Sequence, residues 1–362
     1  MGIISIMSGN EVIGLMSGTS LDGVDIACCH FEFKSNQWQY HIKYAETIPY
    51  SAAWLQKLSS VMNGSSISYV KTHVELGKLY GSLITEFISR YNAKPGLIAS
   101  HGHTIFHQPR LGLTAQIGDG AQIAALTGID TICDFRSKDM GLGGQGAPLV
   151  PAGERKLFSN YNFCLNLGGI ANISVHSPSA TVAYDVCPAN MALNYLSEKL
   201  GRRFDKNGEL AANGKNTTSL LNQLNSLTYY QLPYPKSLGR EWFEQEFIQI
   251  LDGSSITTED KLATVCEHIG LQIGLAIGQH SFNNNDQLLV TGGGALNSYL
   301  IACIKKHISI KLVLPDEQTI SFKEAMIFAF LGLLFTRNEK NVLSAVTGSS
   351  RDHIGGALYK GI

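Results

Sequence analysis

The chain has 362 residues, 44% hydrophobic and only 16% charged, which supplies a large core and excludes disorder as a description of the whole. Its 28 Lys and Arg balance 29 Asp and Glu, and no run of like charge could track a phosphate backbone, so nucleic-acid binding is not expected. Seven cysteines without a C-x-x-C pair fit a reduced compartment and imply neither a disulfide frame nor a zinc knuckle.

The length predicts two domains or one fold of two lobes, at roughly 100–200 residues per domain. The expected division is an N-terminal lobe over 1–158 and a C-terminal lobe over 159–362, with the last helices able to pack back on the first lobe. The longest apolar stretch, 325–335, is shorter than the ~20 residues of a spanning helix, and Lys323 and Glu324 open it. No membrane segment is expected. The opening MGIISIMSGN lacks the basic region of a signal peptide, which predicts a cytoplasmic protein.

The first strong pattern is an apolar run at 12–16, a polar glycine-bearing turn, SGTSLDG, at 17–23, and a second apolar run at 24–31. This predicts a β-hairpin with an elaborate turn. Leu76, Leu79, Tyr80, Leu83, Ile84, Phe87, Ile88 and Tyr91 then recur at three- and four-residue steps, the signature of a helix with one buried face. The stretch LIAS at 97–100 reads as a short buried strand that delivers HGHTIFHQP to its C-terminal end. GLGGQGAP at 141–148 holds too many glycines for a regular element and reads as a loop near the lobe boundary. From 162 the segments FCLNLGG, IANISV and ATVAYDV predict three short strands. Leu262, Val265, Cys266, Ile269, Ile273, Ala276 and Ile277 then form one helical stripe. LLVTGGGALNSYL at 288–300 closes the pattern with a strand, a triple-glycine turn and a helix start.

Three polar glycine turns leave strands: SGTSLDG at 17–23, NLGGIAN at 166–172 and TGGGALN at 291–297. Without a β-carbon, successive backbone N–H groups can converge on an anion, and Ser17, Thr19 and Ser20 add hydroxyls. Singly each is a tight turn; together they read as a phosphate cradle. There is no G-x-x-x-x-G-K-[ST] and no G-x-G-x-x-G opening a helix, so the P-loop and dinucleotide readings fail.

The string GLMSGTSLDGVD at 14–25, with IGDG at 117–120, DFR at 134–136, GGQGAPLVP at 143–151, NLGGIANIS at 166–174, TGGGALN and EAMIFA at 324–329, resembles the bacterial anhydro-N-acetylmuramic acid kinases across most of the chain. The resemblance implies an α/β, two-lobed ribonuclease-H-like fold of the actin and hexokinase-like ATPases, with ATP in the interlobe cleft. It implies an ATP-dependent kinase that phosphorylates O6 of 1,6-anhydro-N-acetylmuramic acid while water opens the anhydro bridge, giving N-acetylmuramic acid 6-phosphate in peptidoglycan recycling. The alternatives are a simple sugar kinase of the same fold and, further off, a nucleotide-driven switch. ATP is then a substrate, Mg²⁺ its companion, and a homodimer the suggested assembly.

The family's base is an aspartate in a D-x-G-P-G-N motif. Here the stretch 185–190 retains Asp185, Pro188 and Asn190, while Cys187 and Ala189 replace glycines. Read from the residues, Asp185 ends an apolar strand before a proline-containing turn and is as well explained as a turn or N-cap aspartate. The resemblance assigns it the base. Glu324, at the head of an apolar helix, matches a family glutamate near the water, or else is a favourable anion in a first helical turn.

ATP contacts are expected from Ser17, Gly18, Thr19, Ser20, Leu21, Asp22, Gly23, Val24 and Asp25, and from Gly168, Gly169, Gly292, Gly293 and Gly294. Either Asp22 or Asp25 organises magnesium. His101, Asn190, Arg136 and Arg240 are the candidate sugar-binding residues, with Lys236 a further basic group for the lactyl carboxylate. His101, His103 and His107 have a zinc-like spacing. The resemblance argues against that, because His103 stands where the family has glutamine.

Overall fold

The computed structural model describes residues 11–18, 21–178, 180–283 and 285–362; Thr19 and Ser20, expected at the phosphates, lie outside them. The chain divides into two compact units, 1–159 with 322–362, and 160–321. Residues 322–362, assigned from sequence to the second lobe apart from helices packing back, are in the first unit.

In the first unit, β1 (Glu11–Ser17), β2 (Val24–Lys34) and β3 (Gln37–Ile48) form an antiparallel meander. Strand β4 (Leu97–Gln108) runs parallel to β1, β5 (Leu113–Ile117) pairs with β4, and β6 (Thr131–Cys133) is parallel to β4 on its other side. The C-terminal strand Ala357–Tyr359 completes this seven-stranded sheet beside β6. The apolar residues of β1, β2 and β4 meet the buried stripe Leu76, Tyr80, Ile84 and Phe87 of the helix Ser66–Tyr91. That helix begins ten residues before the expected face. Ser65 caps it, accepting from the Ser68 amide, and it ends on left-handed Asn92.

The other face of β1 lies on the helix Glu317–Thr336, within which the division between units falls. A β-carbon on Gly14 would stand 1.8 Å from the Ala325 carbonyl oxygen, so only glycine allows this approach. The helix is long and apolar enough to cross a membrane by length and composition. Its residues from Ala325 to Leu331 are nevertheless fully buried, and Phe330 packs on Phe31 and Trp38. From Phe322 on it is a core helix of the first unit.

The glycine loop after the short helix Ser137–Gly141 is fastened by buried Asp139, which accepts from the Gly146 amide at 2.7 Å, Thr347 Oγ1 at 2.8 Å and His353 Nε2 at 2.9 Å. Buried polar groups require such partners, and here the C-terminal segment supplies two.

The second unit repeats the scheme in five strands. β7 (Phe163–Leu167), β8 (Ile170–His176) and β9 (Thr181–Pro188) are antiparallel; β10 (Gln287–Thr291) is parallel to β7, and β11 (Lys311–Val313) to β10. Leaving aside β5 and the C-terminal strand, both sheets run third, second, first, fourth and last strand, which is the ribonuclease-H-like order. The fold is therefore α/β with two such sheets. The helix Thr258–Gly278, capped by Thr257 with Glu259 and Asp260 in its first turn, is buried nearly all round in this core.

Candidate active site

Ser17 closes β1 one step beyond the paired Met16 and Asp25, and Asp25 is the second residue of β2. The Ser17 hydroxyl, expected at phosphate, turns inward: it lies 2.7 Å from Tyr50 Oη and 2.9 Å from His103 Nδ1, and Tyr50 continues to Tyr80 at 3.0 Å. Burial pushes His103 down to about 4, so the ring is neutral near pH 7. The turn itself carries left-handed Leu21, whose amide meets the Gly18 carbonyl, and exposed Asp22. A side chain on Gly23 would strike the Ile48 carbonyl at 2.5 Å.

Asp25 accepts from Thr47 Oγ1 at 2.6 Å, and burial, reinforced by the charge of Asp22, raises its carboxyl. Glu324 is raised by burial too, with Asp25 and Glu154 adding to it and Lys323 and Arg136 opposing. Asp22, Asp25 and Glu324 thus form a chain of mutually felt carboxylates. Glu324 is not a first-turn anion: the helix starts seven residues earlier, at Glu317.

The expected short strand at 97–100 continues through all three histidines as β4. His101 Nδ1–H donates to the Gly102 carbonyl at 3.0 Å, while Nε2 accepts from Arg136 Nε at 3.1 Å and Nη2 at 2.9 Å. Burial first, then the Arg136 charge, holds His101 well below the usual range. Burial also lowers Arg136 to about 10, leaving it protonated with Glu324 in its field. His107 instead meets Thr114 Oγ1 at 3.2 Å. The three rings serve three different partners and do not converge on one metal position.

Asp185 does not end its strand: β9 continues to Pro188, with a bulge after Asp185 opposite Ala171 and Asn172. At the edge of a sheet such a proline leaves no ladder bond missing. One oxygen, Oδ2, accepts from the Leu238 amide at 2.8 Å; the Asp185 amide donates to the Lys236 carbonyl at 3.1 Å, and its carbonyl accepts from Tyr229 Oη at 2.6 Å. Burial raises this carboxyl to about 6, the Leu238 amide opposing. Tyr229 and Leu238 carried no signal of their own in the sequence. Only Lys236 and Arg240, expected as basic groups for the sugar, flank Leu238 in the sequence.

Asn190 opens the helix Asn190–Lys199 and is brought to the glycine turns. Its Nδ2 donates to the Leu167 carbonyl at 2.9 Å, and the amides of Ala189, Asn190 and Met191 donate to the carbonyls of Gly168 and Gly169. A β-carbon on Gly292, where φ is +81°, would stand 2.6 Å from Asn166 Oδ1, and one on Gly294 2.8 Å from Leu167 Cβ. Gly293 meets nothing closer than Asn190 Nδ2 at 3.7 Å. The two glycine turns of this unit therefore interlock, and Gly293 is the open one. Cys187 and Ala189 are both buried, and neither needs a positive φ, so their β-carbons are tolerated. Arg240 is not drawn in: it is exposed and pairs with Glu244 one helical turn on.

This chain matches, over residues 10–361, a family model described as anhydro-N-acetylmuramic acid kinase. It is 38% identical to the anhydro-N-acetylmuramic acid kinase of Vibrio vulnificus (strain CMCP6) over 372 aligned residues, covering 98% of this chain and 99% of that one. It is 36% identical to the enzyme of the same name from Aliivibrio fischeri, covering 96% and 99%. Among solved structures, the activator of the 2-hydroxyisocaproyl-CoA dehydratase from Clostridium difficile with bound ADPNP aligns at 13% identity, covering 92% of this chain and 99% of that one, with a TM-score of 0.46.

Proposed function

The chain belongs to the anhydro-N-acetylmuramic acid kinase family and is a kinase, and from that premise we propose that it transfers the γ-phosphoryl group of ATP to O6 of 1,6-anhydro-N-acetylmuramic acid while water opens the bridge at C1. The product is N-acetylmuramic acid 6-phosphate, released for peptidoglycan recycling in the cytoplasm. The observation that carries this reading is Asp185: a carboxylate raised to about 6, held through one oxygen by the Leu238 amide. A base poised near the working pH combines the deprotonated form with useful proton affinity.

Asp185 takes a proton from water as the water oxygen bonds to C1. The C1–O6 bond breaks, O6 takes the phosphoryl group, and ADP departs. The glycine turns at 168–169 and 292–294 offer backbone to the triphosphate, with Gly293 the most approachable and Asn190 setting the turns against each other. From the first unit, the turn 17–25 contributes backbone, while Arg136, oriented by neutral His101, binds the sugar carboxylate beside Glu324. Arg240, exposed and paired with Glu244, contributes less to this reading. The acidic oxygens of Asp22 and Asp25 fit magnesium: Asp25 is raised by burial and by Asp22, a cost that a hard divalent cation relieves. Held there with ATP, such an ion would supply positive charge to offset that of the phosphates. A homodimer remains the proposed assembly.

The test is incubation with ATP, magnesium and 1,6-anhydro-N-acetylmuramic acid in oxygen-18 water, with the product weighed by mass spectrometry. One label at C1, none in phosphate, and an opened ring support the reading. Phosphate on another hydroxyl with the bridge intact replaces it with a simple sugar kinase. ATP hydrolysis with no sugar product replaces it with a nucleotide switch.

A further inference from the structure

The second unit holds a cavity of about 530 Å³, walled by Tyr184, Asn225, Tyr230, Lys236, Gln272 and Leu275 among others. This lies within the roughly 300–1,000 Å³ of small-molecule sites. Adjacent strand residues point to opposite faces, so the wall contributed by Tyr184 is on the side of β9 away from the Asp185 side chain.

Its polar lining is set by one buried histidine. Burial lowers His268 to about 3, so the ring is neutral, with one donor and one acceptor nitrogen. Nδ1–H donates to Asn225 Oδ1 at 2.7 Å, and the Tyr230 hydroxyl donates to Nε2 at 2.9 Å. Gln272 Nε2 donates to the same Asn225 oxygen at 2.9 Å. These bonds fix both amides. What remains is the Asn225 NH₂ as donor and Gln272 Oε1 as acceptor, neither with a partner among the described residues, and Gln272 is only 6% exposed. The cavity wall contains no Asp or Glu. Its single charge is Lys236, which donates to the Tyr229 carbonyl at 3.2 Å, lies 4.6 Å above the Tyr229 ring, and pairs with no carboxylate among the described residues.

We propose that this cavity binds a small carboxylate that also carries an amide, of the N-acyl amino acid or dipeptide class. The Asn225 amide donates to the ligand carbonyl, Gln272 Oε1 accepts its N–H, Lys236 takes the carboxylate, and the tyrosine rings cover its carbon skeleton. The ligand also bears on the catalytic carboxylate, because the segment from Lys236 to Leu238 lines the cavity at one end and bonds Asp185 at the other. That last consequence rests on Asp185 being the base; the binding site does not.

Calorimetric titration of the full chain with N-acetyl-L-alanine and with glycyl-L-alanine tests the site directly, without a kinase assay. We expect one saturable site per chain, weakened about tenfold or more by amidating the ligand carboxylate or by Gln272→Leu, each of which removes a desolvated polar contact. Leu275→Trp, on the exposed rim, should block the cavity without touching a buried polar group, and decides the matter if Gln272→Leu fails to fold. Binding should persist in saturating ATP and anhydro sugar. Absence of binding by both probes, unchanged affinity in Leu275→Trp, or displacement by the anhydro sugar would overturn the proposal, the last by making the cavity part of the substrate site. None of these outcomes bears on whether the chain phosphorylates that sugar.

Discussion

The Leu238 amide donates to Oδ2 of Asp185 at 2.8 Å across 53 residues of chain, and Oδ1 has no hydrogen-bond partner among the described residues. One oxygen is anchored and the other is left to receive a proton. The anchoring segment is the loop 236–238, itself tied back through the Asp185 amide, which donates to the Lys236 carbonyl, and through Lys236 Nζ, which donates to the Tyr229 carbonyl.

Asp185→Asn keeps this geometry and removes the proton acceptor. Turnover should fall by about 10²–10⁴, the usual contribution of a positioned base, with both substrates still bound. In the unaltered enzyme the acid limb of kcat/KM, which reports the free enzyme, should rise through about pH 6, where the buried carboxyl loses its proton. Steady-state kinetics against pH check both points, and near-normal turnover in the variant would remove Asp185 from the chemistry.

The same group sets a direction for stability. Its carboxyl is raised from 3.8 to about 6 on folding, so the folded chain binds more protons over that window. Stability from this group is present below the lower value and is lost as pH rises through the upper one. Asp185→Asn carries no charge to bury, so its melting temperature relative to the unaltered protein should be higher at pH 7.5 than at pH 4. Calorimetry at the two pH values reads the difference; equal offsets would mean the carboxyl is not held up by burial.

Gly292 and Gly293 should separate packing from ligand approach. Gly292→Ala forces a side chain into a left-handed position against Asn166 and should destabilise by roughly 1–3 kcal/mol. Gly293→Ala meets no protein atom closer than 3.7 Å and should fold normally yet raise the KM for ATP. Unchanged ATP kinetics in Gly293→Ala would take this turn away from the triphosphate.

Ser17→Ala should cost about 0.5–1.5 kcal/mol of stability, the net worth of an internal hydrogen bond, and leave the KM for ATP nearly unchanged, since the hydroxyl faces Tyr50 and His103. A KM raised tenfold without loss of stability would place the hydroxyl on the nucleotide instead.

Gly14→Ala puts a β-carbon on the Ala325 carbonyl, so the helix must shift by more than an ordinary contact allows. Overpacking of this kind costs about 1–3 kcal/mol. Because Glu324 immediately precedes Ala325 in that helix, kcat should fall along with the melting temperature. A variant with lowered stability and untouched kcat would argue that Glu324 tolerates displacement.

Asp185 was singled out by the family resemblance; what the sequence by itself determined were the hairpins, the glycine turns and the amphipathic face at 76–91. These are local: alternation, a 3.6-residue period and glycine punctuation act over a few residues and survive without a partner. It misjudged element ends wherever the deciding partner was distant. Strand β4 runs through Gly102 and three histidines because β1 and β5 pair with it; β9 reaches Pro188 because a sheet edge asks nothing of the missing N–H; and the helix holding Glu324 starts at Glu317, where its first turn shows no apolar period to read. The inward turn of Ser17, the neutral state of His101 beside Arg136, and the raised carboxyl of Asp185 were decided by tertiary structure alone. Each depends on burial and on groups tens of residues away, and desolvation is a property of the packed surroundings that no local pattern encodes.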